Sequence, residues 1–334
     1  MKIAITGGSG FIGTQLCTLL KAQGHEIVII DIAPSATFPN ERIECDVRDA
    51  KGLEKALVGC EAIYHLAAEH ADDVQPISLY YDVNVEGGKR VCEAAEKLGI
   101  KTIIFTSTVA VYGLDKGASK ETDTPDPFND YGISKLQSEQ SFQDWAAGDK
   151  SRSLVILRLV ATFGVGNRGN IYNLLNTIAS GKFVMIGNGQ NHKSIAYVGN
   201  VAAFLTHVLS IKGGSHIFNY ADKPDLNMMD MVKEVYASLG RKMPARAPYI
   251  VGLLGGTAFD ILSKITGRNF PISAIRVKKF CADTVINADK MRESGFKAPY
   301  DLKDGLKTMI EAEFLKPLAD VPVRAALKTK RPLE

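Results

Sequence analysis

The chain has 334 residues, 46% hydrophobic and 23% charged, with a net charge of +3. That is the composition of a globular protein long enough for two lobes, and it excludes a low-complexity or repeat chain. Five scattered cysteines (Cys17, Cys45, Cys60, Cys92, Cys281), odd in number and without a Cys-x-x-Cys pair, argue against a disulfide framework or zinc site and fit a reducing compartment.

In chain order, Met1-Lys2 leads straight into a short apolar strand at 3–6, so no signal peptide is expected. Residues 11–21 follow with Ile12, Leu16, Leu19 and Leu20 on one helical face. Further strands are read at 26–31, 43–45, 62–66, 101–107 and 153–159, and helices at 52–58, 78–98 and from Tyr131 to about 147. Strands alternating with helices imply an α/β fold, a Rossmann-type doubly wound parallel sheet. After Leu159 the alternation weakens. A loop at 164–169 precedes a helix at 170–180, and 195–198 and 217–219 are expected to return to the sheet. Residues 227–316 read as a smaller, mostly helical C-terminal lobe with turns at Pro244, Pro248, Gly255-Gly256 and Pro271. The expected division is a dinucleotide-binding domain of 1–165 and 193–222, a substrate lobe of 166–192 and 223–316, and a basic tail of 317–334.

Thr6-Gly7-Gly8-Ser9-Gly10-Phe11-Ile12-Gly13 joins the first strand to the first helix. There Gly7, Gly10 and Gly13 let backbone approach a pyrophosphate, with Phe11 and Ile12 opening the helix. Asp31 ends the second strand, where a carboxylate accepts from ribose hydroxyls and repels a 2′-phosphate; NAD is the expected cofactor. Asp46-Val47 is read as bracketing the adenine, and the small residues of Leu66-Ala67-Ala68 as letting the cofactor cross the strand ends. The strand at 103–108 delivers Ser107 and Thr108 to the carboxyl edge of the sheet, where Ser107 is expected at the cofactor. Tyr131 and Lys135, four apart, share a helical face. An ammonium beside the phenol is expected to lower its pKa toward neutrality, making Tyr131 the acid/base and Lys135 its partner.

With those residues in place, the chain resembles the extended short-chain dehydrogenase/reductases of the sugar-epimerase type. The matching runs are TGGSGFIG, LAA at 66–68, FTSTVAVYG at 105–113, YGISK at 131–135 and YVGNVA at 197–202. The resemblance implies Thr108 as the catalytic hydroxyl. Thr108-Val109-Ala110 stands where the family's dehydratases carry Thr-Asp-Glu, so dehydration is not expected. Runs at 67–85, 167–175, 220–228, 259–268 and 276–282 are similar to the O-antigen-cluster 4-epimerases that act on N-acetylglucosaminyl-diphospho-undecaprenol. That implies conversion of a lipid-linked GlcNAc to GalNAc, part of lipopolysaccharide synthesis. It also implies a homodimer in the cytoplasm, with peripheral contact at the inner membrane's cytoplasmic face and no nucleic-acid partner.

The usual substrate-diphosphate Asn of the nucleotide-sugar enzymes is Ala161 here, and a usual Arg is Lys193. Both changes depart from nucleotide-sugar recognition. Arg168, Lys193 and Arg276 are the candidate diphosphate cations. Residues 241–281 carry eight Lys/Arg against Asp260 alone, a local +7 that leaves −4 elsewhere and suggests an anionic partner. The longest uncharged apolar stretch, 247–259, has 13 residues; a helical span needs roughly 20, so none is expected. The segment 248–265 reads as a core helix pair or an interfacial element. The alternatives are a UDP-N-acetylglucosamine or UDP-glucose 4-epimerase, a reductase of nucleotide-linked 4-keto-deoxysugars, and an NAD-binding module without catalysis.

Overall fold

A computed structural model describes residues 1–71, 74–113, 116–266 and 273–315. Arg268, Pro271 and the basic tail at 317–334 lie outside these. The first half is built from β1 (Lys2–Thr6), α1 (Phe11–Ala22), β2 (Glu26–Asp31), β3 (Arg42–Glu44), α2 (Ala50–Ala56) and β4 (Ala62–His65). α3 (Ser78–Tyr80) continues through a π-helical stretch, Tyr81–Glu86, into α4 (Gly87–Lys97). β5 (Thr102–Thr108), α5 (Asp130–Ala147), β6 (Ser153–Leu159) and β7 (Ala161–Phe163) follow. Then come α6 (Asn170–Ala179), β8 (Met185–Ile186), β9 (His192–Lys193), β10 (Ile195–Tyr197), α7 (Val198–Val208) and β11 (Gly214–Tyr220). β12 (Leu226–Asn227), α8 (Met228–Ser238), β13 (Arg246–Ala247), α9 (Tyr249–Thr266), α10 (Ala274–Cys281), α11 (Asp289–Glu293) and α12 (Leu302–Ile310) complete the described chain.

The main sheet has seven parallel strands in the order β3-β2-β1-β4-β5-β6-β11. Its strands are apolar on both faces because both are covered. Ile3, Ile5, Ile27 and Ile29 pack with Leu16 and Leu20 of α1 and Phe204 and Leu205 of α7. Ala4, Val28, Ile30, Ile63 and Phe105 pack on the other face with Leu53, Val91 and Phe142 of α2, α4 and α5. The order reverses between β1 and β4, which opens a crevice at their carboxyl ends, the usual ligand position in such sheets.

Residues 217–219 return to the sheet inside β11, but 195–198 do not. β10 pairs with β7 in a separate two-stranded ribbon, because β6 already has β5 and β11 on its two edges. A third core, of α6, α8 and α12, holds the helical lobe together through Leu175, Met231, Val235 and Leu306. Asn200 joins the two parts. Its amide donates to Asp222 (3.0 Å) and to the Tyr300 carbonyl (2.9 Å), while its oxygen accepts from Tyr300 N (2.9 Å). An Asp in its place would lack the donor.

Candidate active site

Between β1 and α1 the chain turns at Gly7, whose φ of 72° lies in the left-handed region. A Cβ there would stand 2.6 Å from the Ala67 nitrogen, and one at Gly13 would stand 2.5 Å from the Gly7 oxygen. The bare backbone is therefore required both for the turn and for seating α1 on it. α1 starts at Gly10 with no side-chain cap and no acid in its first turn, so its N–H donors and positive end are unspent. Phe11 and Ile12 lie half-buried in that turn. Asp31 accepts from Ser9 N (3.0 Å) and Ala33 N (2.9 Å), which fixes its carboxylate beside the glycine loop. Leu66-Ala67-Ala68 leaves β4 alongside Gly7, with Leu66 N bonded to Thr6 O at 3.0 Å.

This cradle fits a dinucleotide: open backbone and an uncapped helix for the diphosphate, and a positioned carboxylate for a ribose. Asp31→Ala is expected to weaken NAD binding by about tenfold or more, the worth of one charge-assisted hydrogen bond. NADP binding should change less; equal loss in a fluorescence titration would count against the ribose assignment. Asp46 and Val47 are less available. Arg48 grips the Asp46 carboxylate at 2.6 Å, and Val47 is buried against Gly87, where a Cβ would come within 2.7 Å of it.

Tyr131 stands in the first turn of α5, which Asn129 caps by accepting from Gly132 N at 2.9 Å. Thr108 ends β5, and its hydroxyl is near enough to the Tyr131 phenol to draw the phenol's pKa down. Lys135 lies one turn further along α5, buried, with its Nζ 4.1 Å from the centroid of the Phe105 ring. His65 stacks on the same Phe105 and bonds Thr6 Oγ1 through Nδ1 at 2.7 Å. Burial and the nearby Lys135 push its pKa down to about 3 and keep it neutral.

The charge relation differs from the expectation of a phenol made acidic by its lysine. Burial pushes the Tyr131 pKa up to about 12, and the Thr108 hydroxyl is what opposes it. Burial also pushes Lys135 down to about 7, against the pull of Glu139. The lysine is thus about half-charged at neutral pH and gives the phenol little help. In the unfolded chain Lys135 returns to its ordinary value of 10.5. The unfolded state then holds more protons between about pH 7 and 10.5, and Lys135 makes stability rise with pH there, by at most about 1.4 kcal/mol per unit. Urea unfolding at pH 7 and pH 9 is expected to show wild type gaining on Lys135→Met as pH rises. A constant difference would overturn the depressed pKa.

Beneath the pair lies a buried polar network that sequence reading did not single out. Glu139, one turn past Lys135, binds Arg158 at 2.6 Å and accepts from Ser107 Oγ at 2.5 Å. Arg158 donates to Tyr112 Oη (2.8 Å), and Tyr112 donates to Asn219 (2.7 Å). Ser107, expected at the cofactor, therefore commits its hydroxyl to Glu139, because adjacent strand residues face opposite ways. Asn84, buried in the π-helical stretch, bonds both Glu69 N (2.8 Å) and Ser134 Oγ (3.0 Å) and ties the segment after β4 to α5. A buried Asn on an otherwise apolar helix face was the available signal.

Two of the three candidate diphosphate cations are committed to other partners. Lys193 donates to the Lys279 and Ala282 carbonyls at 2.9 and 2.6 Å. Arg168 pairs with Glu313 at 3.0 Å and stacks on Tyr172. Arg276 lies exposed on α10. Among the described residues no cluster of His, Cys, Asp and Glu could hold a metal ion.

Residues 3–221 match the model of the NAD dependent epimerase/dehydratase family. An N-acetyl-α-D-glucosaminyl-diphospho-ditrans,octacis-undecaprenol 4-epimerase of Escherichia coli O157:H7 is 49% identical over 94% of this chain and 96% of its own length. A UDP-glucose 4-epimerase of Bacillus subtilis is 27% identical over 81% of this chain and 84% of its own. Among solved structures, MoeE5 in complex with UDP-glucose and NAD superposes with a TM-score of 0.74 at 25% identity, covering 93% of this chain and 98% of that one.

Proposed function

The chain belongs to the NAD dependent epimerase/dehydratase family, and from that membership we propose that it interconverts GlcNAc and GalNAc at C4 on undecaprenyl diphosphate. It is an NAD-dependent sugar 4-epimerase. The observation that carries the substrate is the 49% identity with the E. coli enzyme, spread over 94% of the chain and so across the helical lobe as well. The UDP-glucose enzyme shares 27%.

NAD, when bound, supplies the acceptor and donor of the C4 hydride. The chain's own part is proton handling and orientation. Tyr131 Oη takes the proton of the sugar's 4-hydroxyl and later returns it. Thr108, whose hydroxyl already acts on that phenol, holds the same oxygen in line. Lys135, pushed by burial to a pKa of about 7, is only half-charged near neutral pH, so the phenol depends on Thr108 more than on the lysine. Thr108-Val109-Ala110 has no carboxylate, so the 4-keto sugar is returned to an alcohol and not dehydrated. A homodimer at the cytoplasmic face of the inner membrane completes the reading, since the prenyl tail of such a substrate stays in the bilayer.

The test offers purified protein GlcNAc-diphospho-undecaprenol and UDP-GlcNAc separately, and reads C4 stereochemistry by glycan analysis. Conversion of the lipid-linked sugar with no net change in NADH absorbance is expected. Conversion of UDP-GlcNAc alone would sink the lipid-linked substrate. Stoichiometric consumption of NADH with a keto-sugar would move the reading to a reductase.

A further inference from the structure

The apolar segment, read as a core helix pair or an interfacial element, is not core. α9 has 18 residues and a mean hydropathy of 1.2, yet only 6% of it is buried. The side turned to the protein carries Gly252, Gly256 and Asp260, with Leu253 and Phe259 half-buried beside them. A Cβ at Gly252 would stand 2.4 Å from Ile186, and one at Gly256 2.7 Å from Ala274 N. Asp260 accepts from Ala274 N at 3.0 Å. These three are spaced by four and form one helical face. The opposite stripe is Ile250, Leu254, Ile261 and Ile265, which are 68, 66, 56 and 76% exposed. A helix on a water-soluble surface turns its aliphatic stripe inward; this one turns it outward.

Charge surrounds the stripe in a consistent way. Arg246 precedes the helix, Lys264 sits in its last turn, and Lys278 and Lys279 of α10 are exposed beside it. The one acid, Asp260, faces inward and is already hydrogen-bonded. An isologous contact with a second copy would set like charges against like. An anionic lipid leaflet satisfies both the aliphatic centre and the cationic rim. At roughly 27 Å the helix is near the length of a hydrocarbon core, but the clamp of Gly252, Gly256 and Asp260 keeps it lying along the protein. Its N-terminal end, Pro248 and Tyr249, lines a cavity of about 840 Å³ together with Arg246 and Lys278.

We propose that the outward face of α9 is an interfacial docking surface for an anionic bilayer, with Ile250, Leu254, Ile261 and Ile265 at the acyl boundary and Arg246, Lys264 and Lys278 at the headgroups. It rests on the lipid-linked substrate for its purpose: docking brings the cavity mouth to the depth where a prenyl diphosphate emerges.

Full-length, NAD-loaded protein is floated with vesicles of phosphatidylethanolamine and phosphatidylglycerol (3:1), and with phosphatidylcholine vesicles. Binding to the anionic vesicles that weakens with salt is expected. The combined variant Ile250→Ser, Leu254→Ser, Ile265→Ser should lose at least about tenfold in partitioning while keeping its thermal midpoint and NAD affinity. It should still convert a GlcNAc diphosphate bearing a short, water-soluble prenyl chain, and fail on the undecaprenyl substrate in vesicles. Lys264→Glu with Lys278→Glu should remove the preference for anionic vesicles. Wild type that does not float, or a serine variant that floats equally, overturns the proposal. So does a variant whose one change is a smaller oligomer in solution, which would assign the face to a second copy. Flotation without conversion of the lipid-linked sugar leaves docking standing and removes the substrate reading; conversion without flotation does the reverse.

Discussion

Tyr131→Phe is expected to lower epimerisation by about a thousandfold or more while NAD affinity stays within a few-fold. Loss of a positioned acid/base costs about 10² to 10⁴ in rate, and a thousandfold is about 4 kcal/mol of barrier. The substitution removes one oxygen and leaves the ring beside Tyr80, at a centroid distance of 6.3 Å. The Asn129 cap of α5 is also untouched. A loss in kcat with little change in KM or in cofactor binding would therefore report proton transfer and not folding. Unchanged turnover would return the site to a binding module.

Arg158→Met is expected to destabilise the protein by about 3–5 kcal/mol, because it strands the buried Glu139 carboxylate. Arg158 and Glu139 are 4% and 1% exposed, so water cannot replace the lost partner. The double variant Arg158→Met, Glu139→Gln should recover much of that loss, since a neutral amide can still accept from Ser107. Denaturant unfolding of the two singles and the double closes the cycle. If the double were as unstable as Arg158→Met, packing and not the stranded charge would explain the loss. The pair lies directly under Lys135, and Glu139 opposes the fall in the lysine's pKa. The network thus supports the site as well as the sheet.

Much of this molecule is legible in its residues. The Gly7-to-Gly13 turn, Asp31 at the end of β2 and Tyr131 with Lys135 on α5 all lie where their spacing places them. In the first six strands the errors are at most one residue at an end, as with β3 at Arg42–Glu44 in place of 43–45, while β11 begins three residues before the expected 217. The misses concern groups whose meaning is set by something distant in sequence. The return of 195–198 to the sheet depended on which edges were still open. The fate of Lys193 depended on two carbonyls nearly ninety residues away. The part played by Asn200 depended on Tyr300, a hundred residues further along the chain.

Hydrophobic period, glycine placement and capping residues act over one or two turns, so composition and spacing alone gave the parallel α/β layers, the glycine turn after β1 and the placing of Tyr131 and Lys135 on one helix. Protonation and exposure are set by what packs around a group. Lys135 reads as an ammonium in a string of letters; against Phe105 and out of water its pKa falls to about 7. The aliphatic run of α9 reads equally as core or as an interfacial element, and Gly252 and Gly256, packing close to Ile186 and Ala274, turn that run to the outside.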